Sequence, residues 1–141
     1  MADIDHCKEY NDRYGNPAGD LCLVEVAQTM YHALSRPGDV AARIGGEEFA
    51  FLLPQTDLDG AIAVAEQIRE RILALNLLHE ASPVAGQVTL SFGVSSSELD
   101  AVSSPAELIH TSDIALYEAK RCGRNQIVAA LKTAAALGRE R

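Results

Sequence analysis

Two periods of apolar residues alternate along this chain. From Pro17 to Ser35, the residues Leu21, Val24, Ala27, Met30, Tyr31 and Leu34 follow one another in steps that line one face of a helix. Residues 58–75 repeat the pattern with Leu58, Ile62, Ala65, Ile68 and Ile72. A third long helix is predicted over "SPAELIHTSDIALYEAKRCG" (104–123). Ser104 and Glu107 form its capping box, Pro105 fills its first position and Gly123 closes it. The other period is strict alternation. Val88, Leu90, Phe92 and Val94 share one face of a strand within "GQVTLSFGVSSS" (86–97).

Shorter signals fill the gaps. "MADI" reads as the end of a strand, and "DHCKEYNDRYG" as a short helix with Asp5 as its N-cap. "VAARI" (40–44) and "EFAFLLP" (48–54) read as a hairpin joined by Gly45-Gly46, a two-residue turn of the kind that demands positive φ. "RNQIVAA" (124–130) is a final strand, and the alanine-rich tail from Lys132 reads as frayed helix or disorder. A hairpin set among long helices predicts an α/β (α+β) class with a mixed central sheet flanked by helices. No repeat or linker divides the chain, so the expectation is one domain over 1–130 with a tail at 131–141.

Charge narrows the function. Twenty acidic residues against twelve Lys and Arg give a net charge of −8, which argues against a nucleic-acid polymer as partner. The scattered Cys7, Cys22 and Cys122 suit reduced thiols better than a disulfide framework or a zinc site. No apolar run reaches the length of a membrane span and no signal-peptide pattern opens the chain, so the expected location is cytoplasmic, with no membrane contact. His6, His32, His79 and His110 show no metal-ligand spacing and are taken as bystanders.

The candidate chemistry sits in "ARIGGEEFAFLLP" (42–54) and "DID" (3–5). On the residues alone two readings of Glu47-Glu48 stand: solvated turn charges, or half of a carboxylate cage. Carboxylates from neighbouring strand ends suit Mg²⁺, which takes hard oxygen ligands and leaves positions for phosphate. Two such ions about 3.5–4 Å apart activate a hydroxyl and steady a leaving phosphate. Lys8, Lys120 and Arg124 stand near element ends as isolated cations.

Four segments then carry a resemblance. "RIGGEEF" (43–49) resembles the signature of the GGDEF family of diguanylate cyclases in its GGEEF form. "DIDHCKEYNDRYGNPAGD" (3–20), "VTLSFGVS" (88–95) and "SDIALYEAKRCGRNQI" (112–127) resemble three further blocks of that family, in order and at family-like spacing. The resemblance implies a palm-like nucleotidyl cyclase fold whose hairpin carries the signature. It also implies a homodimer that condenses two GTP into cyclic di-GMP and two pyrophosphates, with two Mg²⁺ (or Mn²⁺) ions per site. By the same resemblance, Asp3, the Ile4 carbonyl, Glu47 and Glu48 bind metal, and Glu47 is also the proton acceptor. Gly46 gives the triphosphate room, and Asn11 and Asp20 read the guanine. Lys8, Lys120 and Arg124 neutralise phosphates. Arg36 and Asp39 in "RPGD" match the family's inhibitory product site, or else simply end a helix. Gln67 stands where some relatives carry a supporting arginine, with Arg69 and Arg71 close by.

Three departures qualify the match. Cys7 replaces a usual Phe and Asn16 a usual His. The family's domain also begins earlier, so the expectation is a domain lacking its first helix and most of its first strand. The alternative function is therefore an inactive module that binds GTP or cyclic di-GMP.

Overall fold

The computed structural model describes residues 1–131; the predicted tail from Lys132 lies outside the described residues. Among the described residues, nine elements follow in the predicted order: β1 (Ala2–Ile4), α1 (Cys7–Tyr14), α2 (Asn16–Ala33), β2 (Val40–Arg43), β3 (Glu48–Leu52), α3 (Leu58–Ala74), β4 (Leu90–Val94), α4 (Pro105–Arg121) and β5 (Ile127–Ala129). The sheet order is β2-β3-β1-β4-β5. β1 runs antiparallel to both neighbours, β2 antiparallel to β3, and β5 parallel to β4. The sheet is therefore mixed, as expected.

Alternation gives the sheet two unlike faces. Ala2 and Ile4, with Phe49, Leu90, Phe92 and Val94, join Val26 and Met30 of α2 and Ala65, Ile68 and Ile72 of α3 in one core. The opposite face is polar at its centre. There Asp3 pairs with Glu48 on one side and Ser91 on the other, and α4 covers the β4 end. That close approach depends on Gly93: a Cβ there would sit 2.1 Å from the Ser112 carbonyl oxygen and 2.2 Å from the Leu116 nitrogen.

Several expectations need correcting at their edges. β4 is shorter than the alternation suggested because residues before Leu90 pair elsewhere. Gln87 bridges Leu78, Val88 N–H donates to Leu77 at 2.8 Å, and His79 N–H donates to Gly86 at 2.9 Å. α2 stops at Ala33, since Leu34 is already extended ahead of Arg36-Pro37. The α4 capping box is displaced by one residue. Ser104 Oγ accepts from Glu107 N–H as predicted, but the Glu107 carboxylate reaches back to the N–H and hydroxyl of Ser103, both at 2.6 Å. Its other end is a Schellman closure: Gly123 has φ +115° and Arg124 N–H donates to Ala119 at 3.0 Å.

The hairpin turn also differs from expectation. Neither Gly45 nor Gly46 has positive φ. The loop is wider than two residues, closing where Ile44 N–H donates to Glu48 at 2.9 Å. Arg43 organises it instead, donating to the Gly45 carbonyl at 3.2 Å and to the Gly46 carbonyl at 2.7 Å and 3.0 Å. Among the described residues no helix is long and apolar enough to cross a membrane.

Candidate active site

β1 is the pivot of the site. Its central position puts Asp3 directly across from Glu48, and Ile4 N–H donates to the Glu47 carbonyl at 3.2 Å. The first and second acidic motifs, more than forty residues apart in sequence, thus meet at one sheet end. Asp3 is 3% exposed, whereas Glu47 is half-buried and Glu48 exposed. Burial pushes the Asp3 carboxyl above its usual range; Lys120 opposes that shift, while Glu47 and Glu48 add to it.

Lys120 reaches Asp3 Oδ2 from the last turn of α4, an ion pair across the sheet face rather than with a carboxylate of its own helix. The other oxygen, Asp3 Oδ1, is shielded from solvent and has no hydrogen-bond partner. Buried carboxylate oxygens are normally satisfied, so an orphan beside further carboxylates suits a cation. Asp3, Glu47 and Glu48 thus fit a divalent metal by chemistry. Among the described residues, however, no three His, Cys, Asp or Glu side chains already converge as a cage.

Asp5 is not the N-cap of α1. His6 occupies that position with φ 54° and makes no side-chain cap. The Asp5 carboxylate turns inward, 3% exposed, and accepts from Thr89 Oγ1 at 2.7 Å, Ser91 Oγ at 2.6 Å and Asn125 N–H at 3.1 Å. The reason lies in strand geometry: one residue beyond β1, Asp5 shares the polar face with Asp3. The consequence is a helix start without a capping side chain directly after β1. The first N–H groups of a helix lack intrahelical partners and favour anions, and the exposed Lys8 lies in that first turn.

The turn at Gly15, with φ +91°, folds α2 back along α1. It brings Asn11 against Gly19, where a Cβ would fall 1.7 Å from Asn11 Oδ1. Asn11 Oδ1 is a second shielded acceptor without a partner. Asp20, the next residue along α2, is exposed. Burial raises the nearby Cys7 thiol to about 11, which keeps it protonated at neutral pH. Gly46 borders open space, with no atom within 4 Å of the position its Cβ would take.

Arg36 and Asp39 are paired already: Arg36 Nη2 donates to Asp39 Oδ1 at 2.8 Å and Nε to Oδ2 at 3.2 Å. Arg36 also donates to the Pro54 carbonyl at 2.8 Å and to Thr56 Oγ1. Its guanidinium stays about half exposed while Asp39 is nearly buried. "RPGD" thus forms a closed turn lying beyond the end of α2, with Asp39 N–H donating to the Arg36 carbonyl at 3.1 Å. Arg69 and Arg71, near the position of Gln67, are both engaged elsewhere. Arg69 holds Glu66 at 3.0 Å and Asn125 Oδ1 at 3.1 Å, and Arg71 donates to the His32 carbonyl at 3.3 Å. A groove of about 990 Å³ beyond Met1, lined by Phe51, Ile68, Phe92 and Val94, carries Arg36 but none of the acidic cluster.

Sequence reasoning missed Thr89, Ser91 and the Asn125 backbone, which hold Asp5, and the bond from Arg69 to the Asn125 side chain. The signal was available: Thr89 and Ser91 are the polar alternates of the strand whose apolar face was read correctly. His79, taken as a bystander, is a buried packing residue: it is fully buried, donates from Nε2 to the His6 carbonyl at 2.9 Å and packs edge-on to Tyr10.

A palm-like α/β domain with an acidic strand-end cluster is the class these features define. A model of the "Diguanylate cyclase, GGDEF domain" family matches residues 1–126. The chain belongs to the GGDEF diguanylate cyclase family. It is 42% identical over 127 residues to diguanylate cyclase A of Treponema denticola, covering 90% of this chain and 33% of that protein. The chain therefore spans about a third of that relative's length. The active GGEEF domain of a diguanylate cyclase from Vibrio cholerae superposes with a TM-score of 0.81 at 33% identity, over 94% of this chain and 81% of that one. The GGDEF domain of DgcB from Caulobacter crescentus, solved in complex with c-di-GMP, gives 0.78 at 32% identity, over 92% and 74%.

Proposed function

We propose that this chain is the catalytic domain of a diguanylate cyclase, joining two GTP into cyclic di-GMP with release of two pyrophosphates. The observation that carries the reading is the meeting of Asp3, with its orphan Oδ1, and the Glu47–Glu48 pair across the β1–β3 pairing. Asp3, the Ile4 carbonyl, Glu47 and Glu48 would hold two Mg²⁺ or Mn²⁺ ions, which would neutralise phosphate charge and lower the pKa of the attacking hydroxyl.

The chain's own groups supply the rest. Asn11 and Asp20 hold the guanine edge, Asn11 Oδ1 accepting from the base and Asp20 taking its N1–H and amino group. Lys8 at the uncapped start of α1, together with Lys120 and Arg124, neutralises the β- and γ-phosphates. Glu47 accepts the proton of the 3′-hydroxyl as that oxygen attacks the α-phosphate of the GTP held by a second copy. The bond to the β-phosphate breaks and pyrophosphate leaves. Repetition at the second site closes the ring, so turnover needs a homodimer.

Quantifying cyclic di-GMP by chromatography after incubating the chain with GTP and Mg²⁺ tests this reading. Product from the wild type should fall by about 10²–10⁴-fold in Glu47→Ala, the range that general-base loss gives. Equal product from both would refute Glu47 as the base. A second reading, a module that binds cyclic di-GMP without turnover, is favoured by the preformed Arg36–Asp39 pair. It expects no product from wild type and binding that Arg36→Ala removes but Glu47→Ala spares.

A further inference from the structure

Asp5 is the most completely engaged carboxylate of the site, yet none of the roles above uses it. Its three donors come from two directions. Thr89 and Ser91 anchor it to β4 at 2.7 Å and 2.6 Å, and the backbone N–H of Asn125 reaches it from the turn between α4 and β5 at 3.1 Å. That turn is conformationally unusual. Arg124 and Asn125 are consecutive non-glycine residues with φ +64° and +48°, a backbone state that persists only where the surroundings over-determine it. Asn125 is gripped a second time through its side chain, whose Oδ1 accepts from Arg69 Nη1 at 3.1 Å; Arg69 is itself braced by Glu66 at 3.0 Å. On the other side, Arg124 N–H closes the helix on Ala119 at 3.0 Å. The residue between these fixed points is Arg124.

We propose that Asp5 and Arg69 are positioning residues that act through Asn125 to aim Arg124 at the distal phosphates of the nucleotide. The assignment rests on the cyclase reading, which places Arg124 against those phosphates. It explains why Asp5 faces inward rather than capping α1, and why α3 sends a side chain to a turn at the far end of α4. A carboxylate accepting from a backbone amide fixes where that amide points. Here it sets the direction in which the neighbouring guanidinium leaves the chain. A role confined to fold stability would leave no preference for one end of the ligand.

The test compares the dissociation constants of GTP and GMP by titration calorimetry, both with Mg²⁺, since GMP lacks the distal phosphates. Wild type should favour GTP. Asp5→Asn and Arg69→Ala should each weaken GTP about tenfold while GMP shifts less than about twofold, the scale of a lost hydrogen bond to a charged group. Ser91→Ala removes a bond to the same carboxylate without touching the Asn125 amide, and it should keep the GTP preference. Adding Asp5→Asn to Arg124→Ala should cost nothing further. Parallel weakening of GTP and GMP, or the same penalty for Asp5→Asn in the Arg124→Ala background, overturns the proposal.

Amide exchange separates the two possible failures. In Asp5→Asn the Asn125 amide should lose protection while β4 keeps its own; unchanged Asn125 exchange overturns the clamp alone. Wild type that binds neither nucleotide overturns the cyclase reading and the aiming role with it. Should Asp5→Asn not fold, Arg69→Ala carries the comparison, because that side chain is partly exposed and outside the core.

Discussion

Gly46 can be conserving a backbone shape or leaving room for a ligand, and the two make opposite predictions. Its φ is not positive and no atom lies within 4 Å of its absent Cβ, so the fold itself tolerates a methyl group. Gly46→Ala should change stability by less than about 1 kcal/mol in urea unfolding. GTP affinity should fall by about tenfold or more, the cost of a steric clash of about 1–3 kcal/mol. Loss of stability with unaltered GTP affinity would assign the glycine to folding.

The same residue shows what the sequence could and could not convey. "GGEE" marked the loop correctly, but turn chemistry inferred positive φ, because nothing in the string says that Arg43 ties the loop through the Gly45 and Gly46 carbonyls. Asp5 was misread for a related reason. An aspartate before a helix is the local signature of an N-cap, and only the tertiary partners Thr89, Ser91 and Asn125 outweigh that preference.

At the scale of elements, periodicity located the long helices but did not always identify the face they bury. α2, α3 and α4 appear within a few residues of their predicted bounds, and α3 buries the expected Ala65, Ile68 and Ile72. The face of α2 was misread: Leu21, Val24 and Tyr31 are exposed, and the helix buries Cys22, Val26 and Ala33 along with the expected Met30. β4 is harder to read, since it is buried on both faces and its polar residues serve the site rather than solvent. Its contact with α4 yields a sharp prediction. A Cβ at Gly93 meets the backbone of Ser112 and Leu116, and helix backbone cannot rotate aside as a side chain can. Gly93→Ala should therefore destabilise the domain by about 1–3 kcal/mol or more, read as a lowered urea midpoint. A midpoint equal to wild type would mean that α4 does not pack this closely.

Across the whole molecule, topology does what composition could not. A net charge of −8 spoke only against polymeric nucleic acid. The strand order, with β1 between β3 and β4, is what brings residues 3, 48 and 91 into one row and α4 over them. That order was not legible in the string, because alternation identifies faces without identifying neighbours. Each copy of the chain offers one such row, and joining two GTP molecules needs two. The initial rate of cyclic di-GMP formation should therefore rise with the square of chain concentration while dimers are scarce. A rate linear in concentration throughout dilution would contradict assembly of the site from two copies.

The central claim is that carboxylates from β1 and the hairpin hold divalent metal against the phosphates of GTP. Titration calorimetry of GTP with Mg²⁺ and with a chelator, on wild type and Glu47→Ala, addresses it without relying on turnover. Wild type should bind GTP far more tightly with Mg²⁺ than without it, and Glu47→Ala should lose most of that difference. Equal affinity with and without Mg²⁺ in wild type, or an undiminished metal effect in Glu47→Ala, would contradict the account.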